Sequence, residues 1–213
     1  MNVGGGSTLD LVGDASTVQG AALTAGGSTS NVTLQNGSLW TMTGDSNVTS
    51  LTNGSSLIQF TPPVGDPTLL SSYKTLTAVS YIGQGGTLGL NTFLGADGSP
   101  SDRLVVSGGT ATGNSLLKIT NTTGAGALTT GNGILVVDSI NGGTTAAGAF
   151  RGGGAVRIYV VPLQHRRQQS AGLVSALDLE LRADPHLAAM PDAHATNAHA
   201  TNAAHPGGPQ LPG

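Results

Sequence analysis

Through residues 1–150 apolar side chains fall at every second position, in short runs divided by Gly, Asn, Ser and Thr. Leu9-Asp10-Leu11, Leu39-Trp40-Thr41-Met42-Thr43, Tyr73-Lys74-Thr75-Leu76-Thr77-Ala78-Val79 and Thr87-Leu88-Gly89-Leu90-Asn91-Thr92 all alternate in this way. A period of two sends one face of each run inward and the other to water, so the spacing predicts β-strands. Residues 101–150 add three apolar runs, Leu104-Val105-Val106, Leu116-Leu117-Lys118-Ile119 and Ile134-Leu135-Val136-Val137, between Gly/Thr/Asn-rich turns. These read as three buried strands with no helix. Gly and Asn suit the corners, where the backbone needs a positive φ.

The alternation also repeats. Asn31-Val32-Thr33 recurs as Asn47-Val48-Thr49, and Asn36-Gly37-Ser38 as Asn53-Gly54-Ser55, a shift of 16 to 17 residues. Periods of this size with one or two short strands each are the mark of a solenoid, in which stacked coils bury what no coil could bury alone. The all-β expectation is therefore a solenoid whose coils lie about 4.8 Å apart. Pro62, Pro63 and Pro67 with Gly65 interrupt the pattern. Proline cannot sit inside a paired strand, so residues 61–72 are expected to be a loop inserted at a corner.

The order of pieces in residues 101–150 carries a resemblance. S-D-R-L-V-V, then G-x-A-T-G-N, an aliphatic strand ending at Asn121, then G-x-G-A-x-T-T-G-x-G-I-L-V-V and a small-residue run closing on A-F resemble the autochaperone segment of bacterial autotransporters. Upstream, Tyr73, Leu76, Leu88, Leu90 and Asn91 match a family phrase like Y-x-T-L-T-V-x-x-L-x-G-x-G-T-F-x-L-N-T, and the likeness covers roughly residues 31–150.

The resemblance implies a right-handed parallel β-helix, a fragment of a secreted passenger domain, that nucleates folding of the passenger during type V secretion. It divides the chain into coils at 1–72, an autochaperone-like end at 73–150 and a tail at 151–213. It implies location at the cell surface or outer membrane, or secretion, and two partners: the protein's own outer-membrane β-barrel translocator and the preceding passenger coils. The first residues, MNVGGGSTLDLVGD, lack the charged and apolar regions of a signal peptide. Leu104, Val106, Leu117, Ile119, Leu135, Val137 and Phe150 are the candidate folding nucleus, although strand periodicity leaves open which side of each strand faces inward. The alternative is a structural or adhesive β-solenoid whose Ser/Thr/Asn-rich faces bind a host surface or a glycan.

Charge and candidate chemistry narrow the function further. Before residue 151 the basic residues are Lys74, Arg103 and Lys118 alone, against seven aspartates. Such a surface lacks the clustered cations that replace counterions along nucleic-acid phosphates. Cysteine is absent, which removes disulfides and thiolate metal sites. No histidine precedes His165, so residues 1–150 hold no base for a Ser-His-Asp triad. The aspartates are scattered, and the nearest pair, Asp97 and Asp102, flanks Gly98-Ser99-Pro100, where a turn role is expected in place of acid–base work. No enzyme, cofactor or metal site is expected. Trp40 reads either as a sugar-stacking platform or as a core or corner residue. The Gly124 to Gly126 and Gly131 to Gly133 stretches lack the Lys and helix of a phosphate loop and read as turns.

After Phe150 the alternation stops, and all five histidines follow. His186, His194, His199 and His205 sit in a tract that either binds metal loosely or is incidental, and residues 151–213 are expected to be a disordered tail. The family's next strands should resemble Y-E-Y-x-L-Y-R and N-P-x-D-W-Y-L-R-S. Synonymous codons from Ala155 onward, read one nucleotide later, can encode both in that order. A frameshift near codons 151 to 155 is the expectation drawn from this.

Overall fold

The computed structural model describes residues 1–153 and 158–160. All of them lie in the first of two compact units, Met1–Arg182; the second, Ala183–Gly213, lies outside the described residues, as do the four tail histidines and most of the suspected frameshifted segment.

The described chain is strand joined by turns. In order the strands are β1 (Asn2–Val3), β2 (Thr8–Asp14), β3 (Thr17–Gln19), β4 (Leu23–Thr24), β5 (Thr29–Gln35), β6 (Leu39–Met42), β7 (Ser46–Gly54) and β8 (Leu57–Phe60). A Pro-rich loop with one 3-10 turn, Leu70–Ser72, precedes β9 (Thr75–Thr92). Then follow β10 (Arg103–Ser107), β11 (Thr110–Asn121), β12 (Ile134–Ile140), β13 (Thr144–Thr145), β14 (Phe150–Gly153) and β15 (Ile158–Val160).

All pairings between these strands are parallel, and each strand pairs with strands one coil away. One path runs β2-β5-β7-β9-β10-β12-β15; a second, β3-β6-β8-β9-β11-β14, shares the long β9 with it. This is the parallel β-helix expected, an all-β solenoid. The corners are turned as the sequence suggested: Asn36 and Gly37 between β5 and β6 have φ of 55° and 77°, and Asn141 and Gly142 between β12 and β13 have 52° and 81°. Asparagine and glycine adopt this left-handed region at little cost.

The coils are unequal in length. Asn31 donates to Asp10 across 21 residues and the Ser38 amide to Ser56 across 18, whereas the Lys74 amide meets Asp102 after 28 and Tyr81 meets Ser115 after 34. The repeated triplets therefore do not stack as the 16-to-17-residue shift suggested. Asn31 pairs with Ser50, and Asn47 lies beside Thr24, to which it is joined by three hydrogen bonds. Triplet identity reports the composition of the faces, and the stacking register is set by which side chains fill the interior.

That interior is built of columns, one residue per coil. Val18, Trp40, Ile58, Leu88 and Leu117 form one, and Val32, Leu51, Tyr81 and Ala111 another. Leu76, Leu104 and Val137 form a third. Except for half-buried Val18 these side chains are buried in one continuous cluster. Trp40 is thus a core residue, and its indole Nε1 donates to the Gly20 carbonyl at 2.9 Å. The sheet and its core run across residue 73 without a break, since β9 pairs with both β7 and β8.

Candidate functional site: a buried carboxylate clasp between coils

Of the seven candidate nucleus residues, Leu104, Val106, Leu117, Val137 and Phe150 are buried in the common core. Ile119 is half-buried against it. Leu135, by contrast, is half-buried and outside the core, while Ile134, Val136 and Val137 are all inside. The cause is an irregularity in β12, whose pairing with β15 slips between Leu135 and Val137. One extra residue in a strand reverses the side on which the following side chains lie.

Phe150 pairs with Ser115 in the ladder and packs inward on the Tyr81 column. Its ring stacks on Tyr81 with centroids 5.4 Å apart and planes at 29°. Below it the Tyr81 hydroxyl and Ser115 Oγ are 2.8 Å apart in the core, and burial lifts the tyrosine's pKa above its usual value against the opposing pull of Ser115 and Asn53. Two glycines make room for this polar group. A Cβ on Gly83 would lie 2.3 Å from Ser115 Oγ, and one on Gly86 would lie 2.3 Å from Asn53 Cγ.

The sequence pair Asp97 and Asp102 separates into two different devices. Asp97, on an exposed loop, accepts backbone N–H groups from Thr130, Gly131 and Gly133 and so ties residues 93–100 to the turn before β12. The Gly133 amide foremost, then those of Thr130 and Gly131, hold its carboxyl below the usual range.

Asp102 has no exposed surface. Its Oδ1 accepts the Lys74 amide at 2.8 Å, and its Oδ2 accepts the Asn91 amide at 2.8 Å and Asn91 Nδ2 at 2.7 Å. Lys74 stands just before β9 and Asn91 near its end, so one carboxylate joins both ends of that long strand to the start of β10. The cluster also grips the coil beneath. Asn91 Nδ2 reaches the Phe60 and Thr61 carbonyls at 3.1 Å each, and Lys74 Nζ donates to the Thr61 and Pro62 carbonyls at 2.8 and 2.9 Å.

Burial pushes the Asp102 carboxyl above its ordinary range, opposed by the Lys74 and Asn91 donors and by the charge of Lys74. A site of this kind, with every oxygen turned to backbone or amide N–H, positions chain and offers no open carboxylate to a substrate. Lys74 and Asn91 were not singled out as a site by sequence reasoning. The available signal was a lone lysine directly before an alternating strand, paired at a distance with the Ser101-Asp102-Arg103 start of the next.

Among the described residues no group of histidine, cysteine and carboxylate side chains could hold a metal ion. No helix there is long and apolar enough to cross a membrane.

At the N-terminal end the core is less covered. Leu11 and Val18, inward on β2 and β3, are half-buried and with Met1 rim an open recess floored by Val32, Leu34 and Trp40. β2 and β3 are edge strands, each paired on one side only.

These features define a structural β-solenoid with one continuous core and open strand edges at β2 and β3. Residues 46–160, more than half of the chain, match the family model of the autochaperone domain, type 1, and the chain belongs to that family. It is the autochaperone-bearing part of an autotransporter passenger, which the family places at the cell surface or outer membrane. The family is one of structural folding domains.

Proposed function

We propose that residues 46–160 fold first and serve as a template on which the coils N-terminal to them assemble, during secretion through the protein's own outer-membrane barrel. The observation that carries this is the gradient of burial along one continuous core. Inward residues from Leu51 through Leu117 are fully covered, while Leu11 and Val18 at the N-terminal edge are half-open. Each added coil gains parallel hydrogen bonds to the edge strands and covers that recess, as in any nearest-neighbour repeat array.

The test fuses two further solenoid coils ahead of Met1 and follows their amide protection with and without residues 46–160. A template makes protection of the added coils depend on that segment. Equal protection without it would remove the template role.

The adhesive reading draws on the outer face, where Asn31, Ser50 and Ser80 form one polar column and Thr33 and Thr52 begin the next. Retention of the chain on an immobilised glycan panel would favour it, since a folding template needs no such binding.

A further inference from the structure

Three corners in the N-terminal part of the solenoid are closed by serine hydroxyls. The Ser16 amide is received by Ser38 Oγ, the Ser38 amide by Ser56 Oγ and the Ala22 amide by Ser46 Oγ, each at 3.1 Å. A hydroxyl corner can close one coil at a time, because water substitutes for any partner that has not yet arrived. The corner at Asp102 is different in kind. It holds the one fully buried carboxylate among the described residues, together with a lysine that is 8% exposed.

A carboxylate and an ammonium leave water at high cost unless every partner is in place together. Here the partners come from three coils: the end of β8 and its following loop, both ends of β9, and the start of β10. A half-closed clasp is therefore disfavoured against both the open and the finished states, which makes its closure a single event. Three N–H donors also converge on two oxygens, so only an acceptor-only group satisfies them all. Asparagine would turn an NH2 toward one of those donors.

Resting on the template reading above, we propose that Asp102 is the positioning residue that commits this domain to fold. Seating its carboxylate between Lys74 and Asn91 fixes β9, the strand shared by both sheet paths, and the serine-cornered coils then stack on it. The order of folding is thus set by where charge is buried, the Asp102 corner first and the serine corners afterwards.

Refolding and unfolding rates of the full chain test this, for the parent and for Asp102→Asn, Asn91→Ala and Ser56→Ala. Asp102→Asn is expected to slow refolding roughly ten- to a hundred-fold, the loss of a hydrogen-bonded buried charge, with little change in unfolding. Asn91→Ala should do the same in smaller measure, and Ser56→Ala should chiefly speed unfolding. An Asp102→Asn chain that refolds at the parent rate and unfolds faster overturns the proposal. If that variant does not refold, Asn91→Ala decides, and unchanged refolding there is equally fatal. Pulse-labelled exchange on the parent supplies a further readout: the Lys74 and Asn91 amides should gain protection before those of Ala22 and Ser38, and the reverse order overturns it. These rates belong to the chain alone, so added coils that still fold on it while Asp102→Asn refolds normally would leave the template standing and remove Asp102 from its mechanism.

Discussion

Single side chains in this solenoid are specified by what they accept or donate as much as by hydrophobicity. Asp97 and Asp102 are five positions apart in a chain otherwise sparse in charge, yet their surroundings move their acidities in opposite directions. Burial raises the Asp102 carboxyl above its ordinary 3.8, so the folded chain holds that proton more tightly than the unfolded one does. Proton linkage therefore favours the fold below 3.8 and withdraws that part of the stability as pH rises through the folded value, while the three N–H donors and Lys74 hold the ionised carboxylate in its seat. Asp97 has the reverse sign: its contribution is present above 3.8 and is lost as pH falls through its depressed value. The destabilisation caused by Asp97→Asn should therefore fade in acid, and the cost that ionising Asp102 adds to the fold should disappear there. Carboxyl NMR titration with urea midpoints across the acid range reads both, and an Asp102 resonance titrating below that of Asp97 would contradict the assignment. Sequence alone grouped the two as turn residues. What separates them is solvent access, which depends on the loops folded over each.

At the scale of the strand, alternation is a reliable guide only where the ladder is regular. In β5, β6 and β8 buried and half-buried positions alternate without a break, and the period of two in the sequence names the inward residues directly. In β12 it fails at Val136, because the slip against β15 lets Val136 and Val137 both turn inward. A consequence is measurable. Phe150, 4% exposed and stacked on Tyr81, should cost about 3–5 kcal/mol of stability on change to Ala. Leu135→Ala should cost less than about 1.5 kcal/mol, since that side chain is only partly covered and lies outside the core. Urea unfolding of the two variants tests the order, and a larger loss at Leu135 would mean that the inward side of β12 is wrongly placed. The expected loop at residues 61–72 is present, and it is well braced: Tyr73 Oη bonds the Pro67 carbonyl at 2.8 Å and Thr122 Oγ1 at 2.9 Å. Proline spacing predicted the interruption; no local signal predicted that a tyrosine would tie it to a strand end 49 residues away.

For the described solenoid as a whole, stability should fall along its length. Nearest-neighbour arrays derive each coil's stability from the coils on either side. The strands of β9 to β11 have partners on both faces of the ladder, whereas β2 and β3 have one. Native-state hydrogen exchange should accordingly show the slowest amides in β9 and β11, intermediate ones in β5 to β8, and the fastest in β1 to β3. Uniform protection across all coils would instead indicate a single cooperative block, in which no segment could act as a template for another.

The amino-acid sequence by itself determined that this chain is a β-solenoid and not an α/β or helical domain. Period-two alternation, Gly/Asn corners and proline interruptions are local properties, legible from one residue to the next. The ordered phrases of residues 101–150 were likewise enough to point to the autochaperone family. Only the tertiary structure decided the stacking register, the inward side of β12 and the joining of Asp102, Lys74 and Asn91 into one buried cluster. Each of these depends on contacts between residues distant in the chain, from 11 positions for Asn91 and Asp102 to 34 for Tyr81 and Ser115. The number of residues in a coil is not fixed by any local rule, because loops lengthen at small entropic cost; the register is settled only when the interior columns are filled.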